Sequence, residues 1–214
     1  MIMKLSILLV LLFISNALFS QNKKKDVVLN NRAVALMDDG NYKEALKYLN
    51  KLTKSDNTNF VYHYNRAVTL FNLKQYHEAI AEYKLLHELL PEQSEYIFQI
   101  GNSYEHLDST QLAISYFSEA IRMDPDHFIY FFKRGTLYLK QNYLREAEAD
   151  FTAAVELNPK HHNSLHNRGI ARYKLGEESQ ACEDWCAALI LGNEYSRSHL
   201  ALVCNNVDPC QPVK

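Results

Sequence analysis

Residues Phe128 to His161 read FIYFFKRGTLYLKQNYLREAEADFTAAVELNPKH, and this stretch decides the fold. Gly135 and Tyr138 lie three apart, Ala147, Phe151 and Ala154 follow at spacings of four and three, and Pro159 closes the stretch. Spacings of three and four put each set on one face of an α-helix. A proline at the end stops the second helix. The stretch is therefore helix A, a turn and helix B. Its small residues let the two helices approach closely, and Phe151 fills the wedge beside them.

The same pattern recurs in both directions along the chain. Ala45, Ala79, Ala113, Ala147 and Ala181 are each 34 residues from the next. A fixed period of this length marks helix-turn-helix units that bury their apolar faces on one another. The units are 26–59, 60–93, 94–127, 128–161 and 162–195, followed by a cap and tail over 196–214. Leu49, Tyr83, Phe117, Phe151 and Trp185 are the large residues in register. Gly101, Gly135 and Gly169 sit inside helix A, Gly40 and Gly176 in the turn between helices, and Gly192 after the last helix. No glycine is left for a phosphate-cradling loop. Pro91, Pro125 and Pro159 share one position, and the first unit has Asn57 there instead. The expected fold is all-α: a right-handed superhelical solenoid of five units with a short C-terminal capping helix.

With its alanines, glycines, aromatic residues and prolines in these places, the chain resembles the tetratricopeptide repeat family over about 170 residues. The fifth unit, from Gly176 through Ala181-Cys-Glu-Asp-Trp185 to Leu191 and Gly192, resembles the closing repeat of exported bacterial members. The resemblance implies a non-catalytic scaffold or adaptor that holds a protein or peptide on the concave side of helix A. The register positions on that side hold Asn30, Val34 and Met37, then Tyr64, Val68 and Phe71, then Phe98, Asn102 and Glu105. Phe132, Thr136 and Leu139 follow, and then His166, Ile170 and Tyr173. Tyr64, Phe98 and Phe132 hold one equivalent position, as an aromatic ladder along the groove or as rings packed between neighbouring A helices. Asn102, His106 and Lys140 would give polar orientation. The family's carboxylate clamp for acidic peptide ends is not matched, because its lysine and asparagine places hold mostly aromatic and neutral residues. An apolar or aromatic-rich segment is the better ligand.

Arginine recurs at one position of helix A as Arg32, Arg66, Arg134 and Arg168, and sixteen residues after the last three stand Glu82, Asp150 and Asp184. In the third unit Ile100 replaces the arginine and Tyr116 the acid. Joint presence and joint absence point to bridges between helices A and B, with the pairs Arg66 and Glu82, Arg134 and Asp150, and Arg168 and Asp184. These are structural pairs rather than a row for an anionic ligand.

The N-terminal segment reads as a signal peptide over residues 1–20: Lys4, an apolar run from Leu5 to Ile14, and small residues ending at Ser20 before Gln21. That run is shorter than the ~20 residues a membrane span needs. No cysteine near the cleavage point offers a lipid attachment site. The expected location is the periplasm or cell surface. Lys23 to Lys25 belong to a frayed, solvated start of the mature chain. The four cysteines, Cys182, Cys186, Cys204 and Cys210, crowd the C-terminal end. In an exported chain they suit disulfides. Cys182 and Cys186 share a face of the last helix B, and a capping helix over Ser198 to Cys204 returning antiparallel would pair Cys182 with Cys204 and leave Cys186 for Cys210.

Charge is near balance, with 23 basic against 25 acidic residues, and no basic helix face suggests nucleic acid. His161, His162 and His166 read as a polar turn and helix start rather than a metal site. Glu146, Glu148 and Asp150 do not make the isolated acid/base pair that catalysis uses. No enzyme, metal, cofactor or small-molecule substrate is implied; the expected partner is a protein or peptide, with a membrane-associated complex as one setting. Two alternatives stay open: a glycan-binding envelope protein using the aromatic ladder, and a structural subunit that contacts partners through its flanks.

Overall fold

The computed structural model describes residues 23–204 and Cys210. Among these residues the chain is helical throughout, and none of its helices is long and apolar enough to cross a membrane. The segment read as a signal peptide lies outside the described residues. Two compact units divide between Pro91 and Glu92. The first contains α1 (23–38), α2 (Tyr42–Ser55), α3 (Phe60–Asn72) and α4 (Tyr76–Leu89). The second contains α5 (Ser94–His106), α6 (Thr110–Met123), α7 (Phe128–Lys140), α8 (Leu144–Leu157), α9 (His162–Lys174), α10 (Glu178–Ile190) and α11 (Tyr195–Val203). Within each unit consecutive helices pack as neighbours.

Each turn from helix A to helix B needs one residue in the left-handed region, and it always falls at the same register position. Gly40, Lys74, Asp108, Asn142 and Gly176 have φ of 74, 61, 55, 60 and 85°. There the chain reverses, and the next amide N–H reaches back to the last turn of helix A, as from Asn41 to the Leu36 carbonyl at 2.7 Å and from Tyr143 to that of Tyr138 at 2.9 Å. Helix α2 ends at Asp56, whose carboxylate accepts from the Thr58 amide at 3.2 Å and hydroxyl at 2.9 Å, and Asp124 and Asn158 at the same register position, before Pro125 and Pro159, accept likewise from the amides of Asp126 and Lys160 at 3.3 and 3.2 Å. The bonds from Thr58, led by the hydroxyl, lower the Asp56 pKa.

The core follows the small-against-large pattern. In the first unit Ala33, Leu36, Ala45, Leu49, Leu52 and Tyr62 form one cluster. In the second, Ala147 and Phe151 pack with Ala171 of the following helix A. Where helix A carries glycine, the ring of helix B lies against the bare Cα: a Cβ on Gly169 would meet Trp185 Nε1 at 2.6 Å, and one on Gly101 would meet Phe117 Cδ1 at 2.7 Å.

Two boundaries differ from the expected ones. Helix α1 already includes Lys23 to Lys25, which are exposed but helical rather than frayed. Helix α11 begins at Tyr195, not Ser198, because buried Asn193 ties the preceding turn to α9 through its Nδ2, 3.0 Å from Asn163 Oδ1. The Asn193 carbonyl then accepts from the Ser196 amide at 3.1 Å, so the helix starts at once.

Candidate partner-binding site

The arginines place helix A firmly against helix B. Arg134 donates to both oxygens of Asp150, at 2.9 and 2.7 Å, and Arg168 does the same to Asp184 at 3.0 and 2.7 Å. Arg66 bonds Glu82, which also lies 2.6 Å from His63 Nδ1. Two of the guanidiniums also serve a second partner: Arg66 Nε donates to Asn50 at 2.8 Å and Arg134 Nη1 to Ser118 Oγ at 2.9 Å, both on the preceding helix B. Asn50 and Ser118 stand sixteen residues before their arginines, a backward spacing that the forward search for acids passed over. His63 and Arg172, whose Nη1 adds a bond to Asp184 at 2.9 Å, carry no periodic signal. Arg32, exposed on α1, makes no ion pair among the described residues. Where Ile100 and Tyr116 replace arginine and acid, Tyr116 stacks on Tyr104 at 5.4 Å.

With the A and B helices so fixed, the face of helix A that holds the expected partner positions differs between the two units. On α3, Val61 (39% exposed) and Tyr64 (37% exposed) precede half-buried Val68 and Phe71 at helical spacing, giving an apolar stripe. Phe71 meets Tyr76 edge-on at 5.4 Å. Val27, Val34 and Met37 hold the equivalent places on α1, with Asn30 accepting from Asn65 Nδ2 at 3.0 Å. In the second unit the face is polar. Glu105 is held by Lys133 at 2.9 Å and Lys140 at 3.6 Å, and Asn102 Nδ2 donates to Gln99 at 3.1 Å. The Thr136 hydroxyl is used on the Phe132 carbonyl at 2.8 Å. His106 ends α5 exposed, and Tyr173 is exposed with its ring 5.8 Å from Trp185.

Of the two arrangements open for Tyr64, Phe98 and Phe132, Phe98 takes the packed one. Phe98 is only 7% exposed, enclosed by Phe117 at 5.4 Å and Tyr130 at 4.7 Å. Phe132 is half-buried against Phe151 and the edge of His161, at 6.1 and 4.8 Å. Phe98 is covered by Tyr130 of the following repeat and Phe132 by Phe151 and His161 of its own, so Phe98 contributes to the core and offers no ligand a stacking face. His166 is likewise engaged, its Nδ1 2.8 Å from Ser196 Oγ of α11. Burial, then His199 and His162, lower the His166 pKa.

At the C-terminal end Cys182 stands beside Cys204 and Cys186 beside Cys210, with Cα separations of 6.0 and 5.3 Å. Both fall in the range a disulfide bridges. Among the described residues no group of three or more His, Cys, Asp or Glu side chains could hold a metal ion.

Comparison with known proteins agrees with this geometry. Tetratricopeptide repeat models match residues 94–127 and 128–161, and the model of anaphase-promoting complex, cyclosome, subunit 3 matches residues 11–84. No protein of curated function matches the sequence. Among solved structures, MamA (residues 41 to the end) from Desulfovibrio magneticus RS-1 superposes with a TM-score of 0.70 at 18% identity, covering 78% of this chain and 94% of its own. A double mutant of MamA RS-1 gives 0.71 at 18% identity, covering 83% and 97%. YrrB, described as a TPR protein with an unusual peptide-binding site, gives 0.67 at 19% identity, covering 87% and 96%. Repeat period, paired helices, register of the left-handed turns and these matches together make the chain a member of the tetratricopeptide repeat family.

Proposed function

We propose that the protein is a non-catalytic adaptor that holds an extended protein segment on one face of its A helices, after export and removal of residues 1–20. The observation that carries this reading is the stripe Val61, Tyr64, Val68 and Phe71 on α3, whose outer members stay exposed while Ala67 and Leu70 of the same helix are buried. An exposed apolar stripe on an otherwise well-packed helix suits an apolar partner segment. Rigid helices lose little ordering entropy on binding. The fold shared with YrrB, a peptide-binding protein by its own description, supports the same class of function. Export is supported by the N-terminal segment and by the two cysteine pairs, which suit disulfides of an oxidising compartment. Burial of Phe98 takes the middle rung from the glycan alternative.

The test is site-specific photo-crosslinking in the native envelope. A photoreactive residue at Tyr64 should give a discrete protein adduct, whereas the same residue at exposed Lys84 on α4 should give none. Adducts from Lys84 and none from Tyr64 would move the contact to the flanks. N-terminal sequencing of the adduct should begin at Gln21.

A further inference from the structure

One helix face is basic after all, and it departs from the repeat. On α2, Lys43, Lys47, Lys51 and Lys54 follow at spacings of four, four and three, and all four are exposed. These spacings keep them on one side of the helix, along about 16 Å of its axis. The corresponding positions of the four later units hold no lysine; their charges are Arg122 and Arg145 against Glu88, Glu119, Glu156 and Glu183. Those B helices bury the same inner alanines and aromatic residues without the lysines, so packing does not require them.

Little in the protein neutralises the stripe. Lys47 Nζ bonds Glu44 at 2.7 Å, while Lys43, Lys51 and Lys54 make no ion pair among the described residues. At its C-terminal end the stripe meets the start of α1. Ser55 Oγ donates to Asp26 Oδ2 at 2.8 Å, which brings exposed Lys24 and Lys25 to the end of α2 that carries Lys54. Apolar side chains are exposed at this same end, Val28 by 66% and Phe60 by 48%. The apolar run Leu5 to Ile14 is joined to it through residues 15–22 alone, a reach of at most about 30 Å.

The chemistry of the face narrows its occupant. Lysine is a flexible point charge without the fork that grips a single carboxylate or phosphate, and a row of them suits a field of anions. Without arginines or interleaved rings the row is unlike a nucleic-acid face. Basic residues beside exposed apolar ones match the headgroup layer of an anionic bilayer.

We propose that the lysine face of α2, together with the start of α1, docks the protein on an anionic lipid surface through the headgroup phosphates. While residues 1–20 are attached, the apolar run tethers this end to the bilayer; once they are removed, the lysines keep it there. The surface belongs to a helix B, so it goes beyond the A-helix reading of function and stands or falls apart from it.

The test is cosedimentation of the mature full chain, Gln21 to Lys214, with vesicles of phosphatidylcholine alone and of phosphatidylcholine and phosphatidylglycerol in equal parts. The parent should bind the mixed vesicles and not the neutral ones, and should be released as salt rises from about 0.05 to about 0.5 M. Lys43→Gln, Lys47→Gln, Lys51→Gln and Lys54→Gln together should weaken binding at least about thirtyfold, since each lysine near an anionic surface contributes about fivefold. The same four changed to Arg should keep it, which separates lost charge from a lost fold. A control with Lys84→Gln, Lys160→Gln and Lys174→Gln, all exposed elsewhere, should bind as the parent does. No binding of the parent to the mixed vesicles at low salt would overturn the proposal, as would undiminished binding by the four-glutamine variant. An equal loss in the control would reduce the effect to net charge and overturn it too. Binding of soluble polyglutamate but not of the mixed vesicles would give the face to an acidic protein instead. The adduct from Tyr64 tests the A-helix reading by itself, so failure of either is seen alone.

Discussion

Arg134 grips Asp150 with two parallel bonds, Nε to Oδ2 at 2.9 Å and Nη2 to Oδ1 at 2.7 Å, while its third nitrogen holds Ser118 on the preceding helix. One side chain thus locks α7 to both flanking B helices. Burial raises the Asp150 pKa even with the guanidinium beside it pulling the other way, while the bond to Asp150 raises that of Arg134 against its own desolvation. Such a pair specifies geometry more than it stabilises. Arg134→Met should cost about 3–5 kcal/mol in chemical denaturation because it leaves a buried carboxylate unpaired. The double change Arg134→Met with Asp150→Leu should recover most of that loss. A single-variant cost under about 1 kcal/mol would show the pair to be solvated.

Much of this was legible in the sequence because each repeat states it again. Five alanines in register reveal the helix crossing, and the loss of Arg and acid together at Ile100 and Tyr116 exposes the pairing. What escaped depends on contacts made once. Phe98 and Tyr64 are equivalent by register, yet only the structure shows Tyr130 lying over Phe98 at 4.7 Å. The left-handed turn was visible at Gly40 and Gly176; Asp108 and Asn142 are residue types that tolerate that region, and at exposed Lys74 only the shared register marks it.

Glycine on helix A should prove graded in its necessity. A Cβ at Gly169 or Gly101 would press within 2.7 Å of the buried rings of Trp185 or Phe117, whereas at Gly135 the nearest atom is Asp150 Cβ at 3.0 Å. Gly169→Ala and Gly101→Ala should each destabilise by about 1–3 kcal/mol through overpacking. At Gly135 the gain in helix propensity, up to about 1 kcal/mol, offsets much of a smaller strain. Thermal melts of the three variants check the order; equal losses at all three sites would contradict it.

Acid should weaken the second unit. His161 and His166 both have pKa values lowered from the ordinary 6.5, each mainly by burial; His162 adds to the first, and His199 and then His162 to the second. His166 faces Ser196 and His199 of α11 and shares α9 with His162, while His161 faces the rings of Phe128 and Phe132. The folded state thus favours both rings neutral, and the unfolded chain takes up protons first. Stability is complete above about pH 6.5 and falls as the pH drops below it. Melting temperature should decline over that window, and less steeply in His161→Gln with His166→Gln. An unchanged slope in the double variant would assign the acid sensitivity to other groups.

The paired cysteines make the closest test of how the last helix is held. Cys204 is buried in one cluster with Ala181, Cys182 and Trp185, against which Leu200 and Val203 of α11 pack. His199 of α11 lies 4.7 Å from Trp185, the sole tryptophan of the chain and a fully buried one. Emission from this residue therefore reports directly whether α11 is seated. A link across the 22 residues from Cys182 to Cys204 closes a loop expected to contribute about 3 kcal/mol. Cys182→Ser with Cys204→Ser should lower the denaturation midpoint and shift tryptophan emission to the red at denaturant concentrations where the parent stays blue. Cys186→Ser with Cys210→Ser should do less, because Cys210 lies beyond the end of α11 and its link adds no anchor within the helix. If reduction of the parent leaves both midpoint and emission unchanged, packing alone seats α11 and the cysteines are not its staple.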